Sequence, residues 1–211
     1  MTAAGIASQI GGRVIPVVVI DEPAIAGPLA DALLAGGIRC AEVTLRTPTA
    51  LDCIRAMSKV PGMVVGAGTV TAADQVDQVV DAGAQFVASP GLSERVVRRC
   101  REMSVPIVPG VVTATEVMAA LDLGLFELKF FPAESSGGSP AVAALGGPFP
   151  HVTFVPSGGI GLGNAKQYLS LPNVAAIGGS WITPPAMQGA GDFAGITRLA
   201  TQATAMATGE D

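Results

Sequence analysis

This sequence of 211 residues has little charge, few aromatic side chains, one histidine and three cysteines. Charged residues make up 14% and the formal net charge is −5, which argues against a nucleic-acid partner because phosphate backbones demand a basic surface. A single histidine, without clustered cysteines or paired carboxylates, predicts no zinc site. This argument does not extend to magnesium, which binds through one or two carboxylates and the substrate itself.

Membrane and export features are also missing. The longest apolar run, residues 14–20, is far shorter than the roughly 20 residues that span a bilayer. Residues 1–12 contain no lysine or arginine, so the basic start of a secretory signal is absent. The three cysteines are an odd number without paired spacing, which suits a reducing compartment. We therefore expect a cytoplasmic protein with no membrane partner.

Hydrophobic residues are abundant. They make up 49% of the chain, and the 27 glycines and 16 prolines predict many tight turns between regular elements. A chain of this length fits one domain with a large core. We expect a single domain over 1–211, with 1–13 as an N-terminal helix or extension.

Eight apolar, strand-like segments alternate with eight helix-like segments. Alternation of this kind predicts a parallel sheet with right-handed crossovers, and eight units favour a closed (β/α)8 TIM barrel. The rival is an open doubly wound sheet, which usually carries a Gly-x-Gly-x-x-Gly after its first strand; none is present there. The predicted strands are 14–20, 39–45, 63–68, 85–89, 105–109, 127–131, 152–156 and 174–178. The predicted helices begin near Asp21, Thr47, Thr71 (as cap), Ser93, Thr113 (in a capping box), Ser139, Leu162 and Asp192.

The segment 126–132 places a lysine, Lys129, near the carboxyl end of an apolar strand. Lysine is rarely buried, so two interpretations compete. In the first, Lys129 lies on an edge strand and its ammonium reaches water. In the second, apolar walls keep the amine partly neutral so that it attacks a carbonyl group.

Polar residues also interrupt the second strand. Alternation places Glu42, Thr44 and Arg46 on the inward face, because the opposite face must pack on helices. A buried carboxylate and guanidinium are costly unless they are paired or used. The alternative to a functional role is a structural Glu42–Arg46 ion pair.

Glycine-rich turns follow the last two strands, at 157–161 and 178–180. Glycines let backbone N–H groups approach a ligand, and barrels commonly bind phosphate at these two loops. The alternative is that they are simply turns. The one histidine, His151, precedes the seventh strand and therefore lies at the end opposite the expected site.

The chain resembles the 2-keto-3-deoxy-6-phosphogluconate (KDPG) aldolases, which often also act on 4-hydroxy-2-oxoglutarate (KHG). The resemblance covers about Val14 to Arg198. It is carried by the segments 36–47, 66–70, 89–91, 109–111, 129–134, 157–160 and 177–181.

This resemblance implies a class I aldolase on a (β/α)8 barrel, commonly a homotrimer of the Entner–Doudoroff pathway, needing neither metal nor cofactor. It implies that Lys129 forms the Schiff base, that Glu42 moves protons and that the substrate is a phosphorylated keto acid. The expected substrate contacts are Arg46 and Thr69 at the pyruvate carboxylate, Pro90 and Phe131 in the pocket wall, and Gly158, Gly159, Gly179 and Ser180 at the phosphate.

Two positions depart from the family pattern. Many relatives carry threonine at Ser157, which we also expect to contact substrate, and some carry arginine near Val19. Two other functions stay open. The first is a metal-dependent oxo-acid aldolase or phosphosugar epimerase on the same barrel, and the second is an idle barrel that only binds a phosphosugar.

Overall fold

In a computed structural model of the chain, residues 6–209 are described. They form short parallel strands, almost all of whose residues are buried, covered by helices. The strands are β1 (Val14–Val18), β2 (Cys40–Thr44), β3 (Val64–Gly68), β4 (Phe86–Ala88), β5 (Ile107–Val108), β6 (Gly110–Val111), β7 (Glu127–Phe130), β8 (Thr153–Pro156) and β9 (Ile177–Gly179).

The strands belong to two parallel sheets. Six strands follow the order β5-β4-β3-β2-β1-β9 and curl as a half-barrel, and three follow the order β6-β7-β8. Single parallel bridges, Ser157 to Gly178 and Phe154 to Val174, connect the β8 side to the β9 side. The α/β class and the parallel strands expected from the sequence are therefore confirmed.

The expected fifth strand, 105–109, differs from prediction because it is two strands, β5 and β6, on either side of Pro109. Proline has no N–H to give to a sheet ladder, so the pairing changes there. β5 pairs with β4, whereas β6 pairs with β7, and the Pro109 carbonyl accepts a hydrogen bond from Lys129 N at 2.9 Å.

Helices connect successive strands. Their bounds are α1 (Ile6–Gln9), α2 (Pro23–Ala35), α3 (Ala50–Met57), α4 (Ala73–Asp81), α5 (Glu94–Glu102), α6 (Ala114–Asp122), α7 (Gly138–Gly146), α8 (Ala165–Leu169), α9 (Pro185–Gly189) and α10 (Phe193–Thr208), with a 3-10 helix at Glu134–Ser136. Residues 1–5 of the expected N-terminal helix or extension lie outside the described residues, and α1 falls within the rest of it. Within residues 6–209, no helix is both long and apolar enough to cross a membrane.

Two of the expected helix starts show how local hydrogen bonds decide a boundary. The capping box at Thr113 is confirmed: Glu116 N donates to Thr113 Oγ1, and the Glu116 carboxylate accepts from Thr113 N. Thr71 as a cap is wrong, because α4 begins at Ala73 with Ala72 as its N-cap residue. The Gln75 side chain accepts from the N–H groups of Thr71 and Ala72, so it satisfies the donors at this end.

Side chains from the two sheets meet in the interior. β2 and β7 are not hydrogen-bonded neighbours, yet Glu42 of β2 contacts Lys129 of β7. Leu128 and Phe130, on the other face of β7, are fully buried, and the Phe130 ring packs edge-on against Phe154. The fold therefore directs one face of β7 toward the apolar packing and the other toward Glu42.

Candidate active site

The interior of the fold contains a buried pair of opposite charges, Lys129 and Glu42. Lys129 Nζ lies 2.7 Å from one carboxylate oxygen of Glu42 and 3.0 Å from the other. Lys129 is 6% exposed and Glu42 is 4% exposed. The interpretation of Lys129 as an edge-strand lysine reaching water is therefore wrong. An amine and an acid this close can exchange a proton directly.

Glycines at the end of β3 make room for this pair. Gly68 lies so close to Glu42 that a Cβ there would stand 2.2 Å from Glu42 Oε1. At Gly66 a Cβ would meet the ring of Phe86, which fills the interior on that side. The small residues of this strand thus fix the position of the carboxylate and shape the floor of the site.

Arg46 is exposed and does not enter the core. β2 ends at Thr44, and the chain turns immediately, with Arg46 N donating to Thr44 O at 2.8 Å. Because Arg46 lies beyond the end of the strand, the prediction that it points inward is wrong. Glu42 pairs with Lys129, so the alternative of a Glu42–Arg46 ion pair is wrong.

Thr69 meets Arg46 at the rim. Arg46 Nε donates to Thr69 Oγ1 at 3.2 Å. Thr69 has φ +62°, a conformation that costs a β-branched residue on the order of 1–3 kcal/mol. This turn directs the Thr69 hydroxyl toward the Arg46 guanidinium, so the two side chains form one hydrogen-bonded group at the rim.

A cavity of about 230 Å³ opens above Lys129 at the carboxyl ends of the strands. The Phe131 ring forms part of its wall, with its centroid 5.5 Å from Lys129 Nζ. Of the expected site residues, the cavity is lined by Lys129, Arg46, Phe131, Ser157, Gly158, Gly159, Gly179 and Ser180. These residues come from β7 and β9 and from the loops after β2, β7, β8 and β9, so the fold brings most of the predicted set together.

Pro90 does not line this cavity. It lies in the turn after β4, where Ser89 Oγ donates to Gly91 O at 2.8 Å. The Pro90 carbonyl packs against Gly110, at which a Cβ would stand only 2.2 Å from it. The structure thus places Pro90 against β6 and outside the cavity wall.

Several cavity residues were not anticipated from the sequence. They are Val17, Ile160, Thr183 and Pro185, which join the expected position Val19. Val17 and Ile160 carry no polar signal that would distinguish them from ordinary core residues. Thr183 and Pro185 lie around α9, a helix of five residues too short to be seen as a periodic pattern.

The loop after β8 is anchored to the chain after β7. Gly158 and Gly159 have φ of +98° and +79°, which glycine adopts without the penalty of a side chain. Glu134 N donates to the Gly158 carbonyl at 3.1 Å, and Ala133 N donates to Ser157 O at 2.8 Å. A Cβ at Gly159 would approach the Glu134 side chain to 2.7 Å. The loop is therefore built for glycine at both positions.

The carboxylate of Glu134 is held in turn by Tyr168, whose hydroxyl donates to it. Tyr168 is fully buried. Burial, then the hydrogen bond to Glu134 and its negative charge, raise the pKa of Tyr168 above its ordinary value. The phenol therefore remains a donor, and the chain from Tyr168 through Glu134 supports the glycine loop.

Candidate metal ligands are sparse. Among residues 6–209, no three histidine, cysteine, aspartate or glutamate side chains cluster closely enough to hold a metal ion. His151 is exposed in the turn before β8, at the opposite end of that strand from Ser157.

A lysine paired with an acid under glycine-rich loops, at the carboxyl ends of parallel strands, defines an α/β enzyme built around a reactive amine. Comparison with known proteins agrees. The model of the KDPG and KHG aldolase family matches residues 7–199, and the chain belongs to this family. The resemblance found in the sequence, and with it the enzyme class, is confirmed.

The relatives are similar over nearly their full length. The KHG/KDPG aldolase of Escherichia coli K12 is 49% identical over 193 residues, 91% of each chain. The crystal structure of the Zymomonas mobilis ZM4 KDPG aldolase with 3-phosphoglycerate is 46% identical, with TM-score 0.88 and 92% of each chain covered. The KDPG aldolase of Legionella pneumophila, with pyruvate captured at low pH as a covalent carbinolamine, is 43% identical, with TM-score 0.89, covering 92% of this chain and 94% of that one.

Proposed function

We propose that this protein is a class I aldolase that reversibly cleaves KDPG to pyruvate and D-glyceraldehyde 3-phosphate through a Schiff base on Lys129. The same site would cleave KHG to pyruvate and glyoxylate. The observation that carries the proposal is the buried contact of Lys129 with Glu42 beneath the cavity. The relatives named KHG/KDPG aldolase, and the carbinolamine captured in the Legionella enzyme, support it.

The reaction begins when the Lys129 amine gives a proton to Glu42 and attacks the C2 ketone of the substrate. The resulting carbinolamine loses its oxygen as water, taking a proton back from Glu42, and becomes an iminium. The iminium accepts the electron pair of the C3–C4 bond while the C4 hydroxyl gives its proton to Glu42. Glyceraldehyde 3-phosphate leaves, and the enamine of pyruvate is protonated at C3 and hydrolysed.

Arg46 and Thr69 would bind the carboxylate of the pyruvyl part. A guanidinium matches a planar carboxylate with two parallel hydrogen bonds, and the contact between Arg46 and Thr69 holds it at the rim. Phe131 would wall the pyruvyl group beside Lys129. Pro90, expected in the same wall, is not among the cavity residues, so we assign this role to Phe131 alone.

The phosphate would bind at Gly158, Gly159, Gly179 and Ser180. Backbone N–H groups hold an anion without adding net charge, which reconciles a dianionic substrate with a protein of net charge −5. Ser157 is 4% exposed and lines the same cavity as Lys129. We assign its hydroxyl to the hydroxyl groups of the substrate.

We also propose that the strands close into a single-domain (β/α)8 barrel. The bridges between the β8 and β9 sides support closure on one side, and the direct continuation from β5 through Pro109 to β6 supports it on the other. A homotrimeric assembly and a cytoplasmic location are proposed from the family resemblance.

A retro-aldol assay tests the function. Purified protein is given KDPG or KHG, and pyruvate release is measured with and without a chelator. We expect activity that the chelator leaves unchanged. Activity lost to the chelator would favour the metal-dependent alternative, whereas binding of KDPG without any pyruvate release would favour an idle barrel.

A further inference from the structure

One side chain of the cavity is a buried hydroxyl without a partner. Thr183 is 2% exposed, yet its Oγ1 makes no hydrogen bond with any of the described residues. Thr183 lines the same cavity as Lys129 and Ser180. Trp181 Nε1 shares the lack of a partner, but Trp181 is not among the cavity residues.

The backbone fixes Thr183 in this position. Its N–H donates to Ser180 O at 3.3 Å, so both residues belong to one turn after β9. Its carbonyl accepts from Gln188 Nε2 at 2.7 Å, and the Gln188 side chain is itself buried. These two hydrogen bonds hold the backbone of Thr183 in place beside the cavity.

Core packing does not explain this hydroxyl. Thr44, also fully buried, donates to Val18 O at 3.1 Å, and Thr47 donates to Ile20 O at 2.6 Å. A buried hydroxyl that lacks such a bond costs free energy, and valine has the same shape without the cost. Departures from this rule are expected at functional or strained sites, and Thr183, unlike Trp181, lines the cavity.

We propose that Thr183 Oγ1 donates a hydrogen bond to a phosphate oxygen of the substrate. The proposal rests on the proposed function, which places the phosphate at the loops after β8 and β9. Thr183 shares its turn with Ser180, and both line the cavity. Val17 and Val19, also in the wall, offer the phosphate no side-chain partner, so Thr183 adds a second hydroxyl donor beside that of Ser180. Thr183 thereby selects phosphorylated substrates over unphosphorylated ones.

The test compares T183V with T183S and with the parent protein. For T183V we expect KM for KDPG to rise about tenfold or more, as for loss of a hydrogen bond to a charged group, with kcat little changed. Kinetics with KHG, which has no phosphate, should stay unchanged, and T183S should restore most of the loss. T201V is the matched control, because Thr201 is exposed on α10 and does not line the cavity.

A structural role for Thr183 predicts a different pattern. If the hydroxyl served the fold, T183V would lower the melting temperature and would impair KDPG and KHG equally. We expect the melting temperature of T183V without ligand to equal or exceed that of the parent, since an unpaired hydroxyl is removed. An unchanged KM for KDPG in T183V would overturn the proposal.

Binding of inorganic phosphate separates this proposal from the proposed function. Phosphate is titrated into the parent and T183V, and its dissociation constant is measured by calorimetry. If neither substrate is cleaved, the proposed function fails, yet weaker phosphate binding by T183V would still support the role of Thr183. Equal phosphate binding by the two proteins, or none by the parent, would overturn it.

Discussion

The carboxylate of Glu42 occupies the space that a side chain at Gly68 would need. A Cβ at Gly68 would stand 2.2 Å from Glu42 Oε1 and 2.7 Å from Glu42 Cγ. Gly68 ends β3, and its register partner Thr44 ends β2. The position of the acid beside Lys129 thus depends on the absence of a side chain on the neighbouring strand.

Replacing Gly68 by alanine should displace Glu42 from Lys129. We expect G68A to lose most pyruvate-releasing activity and, as an overpacked core variant, to lose about 1–3 kcal/mol of unfolding free energy in urea. Gly27, in α2, has open space at its Cβ position. Its alanine variant should keep full activity and gain up to about 1 kcal/mol, as glycine is a poor helix former. Full activity in G68A would contradict the account.

The buried ion pair should show strong coupling between its two members. K129M leaves the Glu42 carboxylate buried without a partner, which should cost about 3–5 kcal/mol of unfolding free energy. The double variant K129M/E42Q removes the stranded charge and should recover much of that loss, although it is inactive. Urea denaturation of the parent, K129M, E42Q and the double variant gives the coupling energy. Additive losses would indicate that the two side chains do not interact as described.

Tyr168 is the one tyrosine of the chain, so tyrosinate absorbance reports it alone. Because burial and Glu134 raise its pKa from 10.0, the folded protein should show no tyrosinate at pH 10, whereas the urea-unfolded protein should be half ionised there. The unfolded state then binds fewer protons than the folded state, so stability falls as pH rises above about 10. In Y168F this contribution to the loss of stability above about pH 10 should be absent. Normal titration in the folded protein would contradict the contact with Glu134.

Two buried cysteines should resist alkylation until the protein unfolds. Burial, and to a smaller extent the negative charge of Glu42, raises the pKa of Cys40 from 9.0 to about 12. Burial alone raises the pKa of Cys100 to about 12. Both thiols stay protonated in the folded state at pH 9, where unfolded thiols ionise, so stability decreases as pH rises from 9 to 12. Iodoacetamide labelling at pH 9, followed by mass spectrometry, should modify neither residue before urea is added. Rapid labelling of Cys40 would show that β2 opens readily.

Strand periodicity predicted one member of the central pair. Alternation placed Glu42 on the inward face of its strand but left Lys129 open between an edge position and a buried one, and the structure joins the two side chains. Alternation gave the wrong orientation for Arg46 because β2 ends at Thr44, and a turn two residues long cannot be recognised from a periodic pattern. The role of Pro90 came from the resemblance alone, and in the structure Pro90 packs against Gly110 and is not among the cavity residues.

Other features depend on contacts distant in sequence. The fifth strand is split at Pro109 because β5 pairs with β4 whereas β6 pairs with β7, and these pairings form only when the sheets assemble. Thr183 was missed because a threonine after a strand is unremarkable until its burial and lack of a partner are known. Sequence reasoning therefore found the reacting groups and missed part of the pocket that surrounds them.

The most direct test of the central claim is to trap the Schiff base with pyruvate and borohydride and to map it by peptide mass spectrometry. The chain contains three lysines, and Lys59 and Lys166 are exposed whereas Lys129 is buried. We predict one reduced pyruvyl group, on Lys129, and none in K129M. An adduct on Lys59 or Lys166, or no adduct in a protein that still cleaves KDPG, would contradict the account.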